Sequence, residues 1–124
     1  MTRVTVEYEG DRITRLESVG HAGGRSAGTN IVCAAVSILM ETCANALESV
    51  AGVTPELTVD EALARIDIRL PQAEGQAQRD AQTILRTTLL GLTDISHEYP
   101  KMVKLNILMG GTNHDQAESA VLRP

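Results

Sequence analysis

Apolar residues fall at every second position near the start of the chain. Val4, Val6 and Tyr8 alternate with Thr5 and Glu7, the period of a strand with one buried face. Glu9-Gly10-Asp11 reads as a turn, and Arg12 to Val19 as the second arm of a hairpin with less regular alternation. Gly20 to Gly28 then holds four glycines in nine residues and no period, which marks an unusually shaped loop. After Asn30, a good helix N-cap, Ile31, Ala35, Ile38, Leu39, Thr42, Ala46 and Val50 recur at helical spacing, so a helix is predicted from Ile31 to Ser49. Ala51-Gly52 stops it.

A second hairpin follows. Pro55 to Val59 is a short strand, Asp60-Glu61 a turn, and Ala62, Ala64, Ile66, Ile68 and Leu70 alternate with Leu63, Arg65, Asp67 and Arg69. Ala77, Ala81, Ile84, Leu85, Thr88, Leu92 and Ile95 mark a second amphipathic helix, closed by Glu98-Tyr99-Pro100. Val103, Leu105 and Ile107 give a last strand. The predicted order is ββ-α-ββ-α-β, an α+β fold with two helices packed on one face of a mixed five-stranded sheet. One domain is expected over residues 1–109, with 110–124 as a flexible tail because periodicity ends at Gly110. The other sheet face must be solvated or covered by a partner. Ile107, Leu108 and Met109, close to a polar C-terminus, suggest a dimer.

Composition narrows the function. The 124 residues are 43% hydrophobic, which is ordinary for a globular domain and argues against wholesale disorder. Eleven Lys and Arg stand against 16 Asp and Glu, a formal charge of −5, so the chain is a poor ligand for polyanions. Trp and Phe are absent, leaving Tyr8 and Tyr99 as the aromatic residues, and base stacking has few platforms. Direct nucleic-acid binding is therefore not expected. The first residues lack the apolar core of a signal peptide, and the longest apolar run, Ile31 to Met40, is broken by Ser37 and is too short to span a membrane. A cytoplasmic protein without a membrane partner is the expectation.

The chemistry gathers at the junction of the glycine-rich loop and the first helix. With Asn30 as the cap, Cys33 falls in the first turn, where unpaired backbone N–H groups and the helix dipole favour a thiolate. His21 stands at the other end of the loop, which can fold back and bring its two ends together. A Cys and a His so placed are the minimum apparatus for thiol-based acyl transfer, with first-turn N–H groups as oxyanion donors. Two other readings of the same residues stay open. Cys33, among Ile31, Val32, Ala34 and Ala35, can be an inert core residue. The Gly23 to Asn30 stretch can cradle an anion, although it lacks the ending of a phosphate-binding P-loop. Cys43 lies about 15 Å along the same helix, too far for a disulfide with Cys33, and is read as core. His97 and His114 are read as solvated. Neither Cys-x-x-Cys nor His-x₃-His spacing occurs, so no metal and no cofactor is expected.

Gly20-His21-Ala22, a Gly-containing loop and Ile31-Val32-Cys33-Ala34-Ala35-Val36-Ser37 together resemble the signature of the ribosomal-processing cysteine protease family, Prp. That resemblance implies a cysteine endopeptidase that removes an N-terminal extension from a large-subunit ribosomal protein during ribosome maturation. It also implies a cytoplasmic homodimer that takes the N-terminal peptide of that protein as its partner. The family nucleophile falls on Cys33 and its general base on His21. The Gly23 to Gly28 loop, with Gly24, would be the mobile cover that orders over substrate, Gly20 supports the site, and Ser37 matches a family Ser near it. The family usually has Asp before Ile-Val-Cys, where this chain has Asn30. Asn caps a helix as well as Asp does but brings no charge. Two other functions compete with the protease: a ribosome-associated module that has kept the fold and lost activity, and a small anion- or nucleotide-binding protein using the Gly-rich loop.

Overall fold

The computed structural model describes residues 1–21 and 27–110, with residues 27–30 described by their backbone course alone. Its elements are β1 (Thr2–Glu9), β2 (Arg12–Val19), α1 (Ala27–Ser49), β3 (Glu56–Asp60), β4 (Arg65–Arg69), α2 (Gly75–Glu98) and β5 (Val103–Met109). They form one five-stranded sheet in the order β3-β4-β2-β1-β5. The β1–β2, β2–β4 and β3–β4 pairs are antiparallel, while β1 and β5 are parallel, and α2 is the crossover that carries the chain from β4 across the sheet to β5. The α+β class and the mixed sheet are those expected from the sequence.

The helices and one sheet face enclose the core. Val4, Val6, Ile13, Leu16, Ile68, Val103 and Ile107 come from the strands, and α2 contributes Ala81, Leu85, Leu89 and Leu92. Gln82 pins α2 to the sheet. It accepts from the Ile13 N–H and donates to the Ile13 carbonyl, each at 2.8 Å, just beyond the last β2–β4 partners, Arg15 and Arg69.

Helix α1 departs from the expectation in three ways. First, it begins at Ala27, one turn before Ile31, so Asn30 lies inside the helix and does not cap it. Second, its buried stripe is Val32, Val36, Met40, Cys43, Ala44 and Leu47, while Ile31, Ile38 and Val50 of the predicted stripe are more than 60% exposed. The helix is apolar on two sides, and periodicity alone does not choose between them. Third, Ile31–Ser49 is long and apolar enough to cross a membrane, with a mean hydropathy of 1.5. That apolarity serves the sheet here, since its Val32-to-Leu47 stripe is in the core.

The second hairpin is shorter than predicted. Residues 61–64 form a turn, with Ala64 at φ 48, so Ala62 and Ala64 are not strand positions. Met109 and Leu108 are half-buried and Ile107 is buried within β5, so these residues finish the sheet and do not form an exposed apolar end. The tail expected after Gly110 falls at 111–124, outside the described residues.

The sheet face away from the helices carries charge. Glu17 and Asp67 are cross-strand partners, an arrangement that is unfavourable between like charges. Two arginines resolve it. Asp67 accepts from Arg15 Nε at 2.8 Å and Arg65 Nη2 at 2.9 Å, and Glu17 accepts from Arg65 Nε at 2.6 Å and pairs with Arg15 at 3.2 Å. Asp67 bonding holds the Arg15 guanidinium above its ordinary range, and Glu17 does the same for Arg65. The network joins β2 to β4 behind the site.

Candidate active site

A cleft of about 350 Å³ opens between α1 and the sheet end formed by β1, β2 and the β3–β4 turn. Three elements bring their chemistry to it. β2 ends in Gly20-His21, and both residues line the cleft. Helix α1 presents Cys33, Ser37 and Glu41, which are four residues apart in succession and so share one helical face. Val59 and Ile66, partners across β3 and β4, give an apolar wall, and Asp60 and Glu61 stand at the turn.

Gly20 is held on both sides. Its N–H is shared by the Leu63 and Ala64 carbonyls at 3.0 and 3.2 Å, and its carbonyl accepts from the Thr2 hydroxyl at 3.0 Å. Its φ of +91° is in the left-handed region, and a Cβ there would lie 2.6 Å from the Met1 carbonyl oxygen. Glycine is therefore required where β2 turns into the cleft. His21 follows it, exposed to solvent.

Cys33 is half-buried at the cleft, and Cys43 is buried in the core; both are thiols. Burial pushes the Cys43 thiol up, partly offset by a hydrogen bond with Thr88. A neutral, enclosed thiol is a poor nucleophile. Iodoacetamide at neutral pH is thus expected to label Cys33 at least about tenfold faster than Cys43, read by peptide mass mapping. Equal labelling of the folded protein would contradict this division of roles.

The longer α1 changes the electrostatics expected at Cys33. With Ala27 as its first residue, α1 carries Cys33 in its second turn, beyond the four N–H groups that lack partners within a helix. The dipole acts mainly within the first turn, so it reaches Cys33 more weakly than predicted, and the first-turn oxyanion site does not sit at Cys33. Of the other expected site residues, Gly20 and Ser37 share the cleft with Cys33 and His21, whereas Gly28 and Asn30 lie in the first turn of α1. Gly23 and Gly24 are outside the described residues, as is the first half of the expected anion cradle, residues 23–26. Sequence reading missed Thr2, Ser18, Glu41, Val59 and Ile66, which also line the cleft. Only Glu41 carried a usable signal, its spacing of four from Ser37 and eight from Cys33.

Comparison with known proteins bears on this cleft. The profile of the family described as cysteine protease Prp matches residues 1–104. The ribosomal processing cysteine protease Prp of Staphylococcus aureus is 31% identical over 103 residues, covering 83% of this chain and 93% of that protein. The crystal structure of SMU.848 from Streptococcus mutans superposes with a TM-score of 0.80 at 32% identity, covering 88% of this chain and 95% of that one. The structure of Staphylococcus aureus Prp in complex with a covalently linked product peptide gives 0.76 at 28% identity, covering 86% and 99%. With a profile match from residue 1 to 104 and relatives matched over nearly their whole length, the chain belongs to the Prp family of ribosomal-processing cysteine proteases.

Proposed function

We propose that this cysteine protease uses Cys33 and His21 to remove an N-terminal extension from a large-subunit ribosomal protein during ribosome maturation. The observation that carries the reading is the meeting of these two residues, from the end of β2 and from α1, on one open cleft. His21 takes the Cys33 proton and the thiolate attacks the scissile carbonyl, forming a tetrahedral intermediate. Collapse breaks the C–N bond as His21 returns the proton to the leaving amine. Water activated by His21 then hydrolyses the thioester and frees Cys33. The covalently linked product peptide in the Staphylococcus aureus relative is the kind of state that nucleophilic catalysis produces.

The cleft also suits the substrate in charge. Glu41, Asp60 and Glu61 stand along it against one cation among the described residues, Arg65, which is already bonded to Glu17 and Asp67; the chain has a net charge of −5, and ribosomal proteins are generally basic. Ser37, one turn from Cys33, offers a hydroxyl to the bound peptide. The reading places the enzyme in the cytoplasm, where ribosomes are assembled, and includes the homodimer implied by the family.

The test uses the large-subunit ribosomal protein of the same organism whose N-terminus reaches towards the peptidyl-transferase centre. Incubated with this enzyme, a synthetic peptide spanning its first residues should be cut at a single bond, seen by mass spectrometry. An intact peptide, or a ribosomal protein with no extension to remove, would sink the substrate assignment.

A further inference from the structure

We infer that Thr2 is a positioning residue for His21, acting through the carbonyl of Gly20; the inference rests on the reading of His21 as the general base. The peptide plane between Gly20 and His21 contains the Gly20 carbonyl and the His21 nitrogen, so fixing that carbonyl fixes the point from which the imidazole is carried. The Thr2 hydroxyl donates to it at 3.0 Å. Thr2 is itself well anchored. It is 3% exposed, its N–H donates to the Met102 carbonyl at 2.8 Å, and its neighbour Arg3 pairs with Val19 in the β1–β2 ladder.

The restraint has a specific purpose at this place. β2 ends at Val19, so Gly20 lies beyond the strand and is held by neither neighbour's regular ladder. Its N–H is fixed by the β3–β4 turn through Leu63 and Ala64, which settles one peptide plane. Glycine has the widest freedom of any residue, so the next plane can still rotate about ψ. Thr2 closes that freedom. A rotated Gly20–His21 plane would swing an exposed imidazole out of reach of Cys33, and misplacement of about 1 Å is enough to slow a reaction a hundredfold. Thr2 also lines the cleft, so the hydroxyl, the glycine and the imidazole form one continuous edge of the site.

The experiment reads the rate of Cys33 alkylation by iodoacetamide at neutral pH, which needs no peptide substrate. Thr2→Val keeps the shape and removes the donor, and it should slow alkylation about tenfold. Thr2→Ser restores the donor and should return the rate to within about twofold of the parent. Combined with His21→Ala, Thr2→Val should have no further effect, because a residue that acts through the imidazole has nothing left to position. Thermal melting checks that each variant is folded, and Thr2→Ala replaces Thr2→Val if valine disrupts the strand. A parent-like rate in Thr2→Val, no rescue by serine, or an equal slowing with and without His21 overturns the role of Thr2 while leaving the dyad standing. A parent-like rate in His21→Ala overturns the dyad and this inference together.

Discussion

Cleavage should fall at least about a hundredfold when His21 is replaced by alanine, the scale of a lost general base. The effect should appear in turnover and leave the melting temperature unchanged, because His21 is exposed and its ring is not part of the core. Cys33 alkylation at neutral pH should slow in the same variant, since His21 brings an imidazole to the cleft that Cys33 lines. The weak reach of the helix dipole sharpens this expectation. A Cys in the first turn would keep some activation from the backbone after His21 was lost; a Cys in the second turn keeps less. A variant that retains a third or more of the parent turnover would show that another group takes the proton.

Stability should also respond to the charged face of the sheet. Asp67→Ala is expected to cost about 2 kcal/mol in urea unfolding, below the range for a fully buried ionic network because its arginine partners are partly exposed. Asp67 is 3% exposed and takes hydrogen bonds from Arg15 and Arg65. Without it, Arg65 is left with Glu17 and Arg15 with Glu17 and Glu7, and the β2–β4 pairing loses its buried ionic staple. The consequence reaches the cleft. β4 carries Ile66, and the turn before β4 supplies the two carbonyls that hold Gly20. A urea midpoint unchanged from the parent would mean that the network is screened by solvent and does not hold the hairpin.

The two helices and the strands other than β3 were legible because each of them buries one face, whereas β3 is exposed along nearly its whole length. Val4 and Val6 on β1, Ala81, Leu85 and Leu92 on α2, and Val103 and Ile107 on β5 all fell where alternation or helical spacing put them. The side of α1 that meets the sheet was not legible. Ile31 and Ile38 are as apolar as Val32 and Val36, and only the packing decides which pair is covered. The start of β4 was misread because Ala62 and Ala64 continue the alternation of Ile66 and Ile68, and alanine is small enough to fit a turn, even at a φ of 48°.

The site divides in the same way. Cys33 and His21 carry reactive groups and stood in a dense motif, so they could be named from the sequence. The residues that place them could not. Thr2 is an ordinary threonine at the start of a strand, and its bond to Gly20 spans 18 residues. The Leu63 and Ala64 carbonyls are backbone groups, which no side-chain pattern announces. The residues to which we assign the chemistry were visible as types, while those proposed to aim them became visible only through the strand order β3-β4-β2-β1, which sets the two hairpins side by side.

The central claim is that Cys33 is the nucleophile of a peptide-cutting site. Intact-mass analysis of the enzyme quenched in acid, during turnover of the ribosomal-protein peptide, tests it most directly. An adduct equal to the acyl part of the peptide is expected, mapped to Cys33 and absent from Cys43, with no cleavage by Cys33→Ala. Cleavage that persists in Cys33→Ala, or an adduct mapped to any other residue, would contradict it.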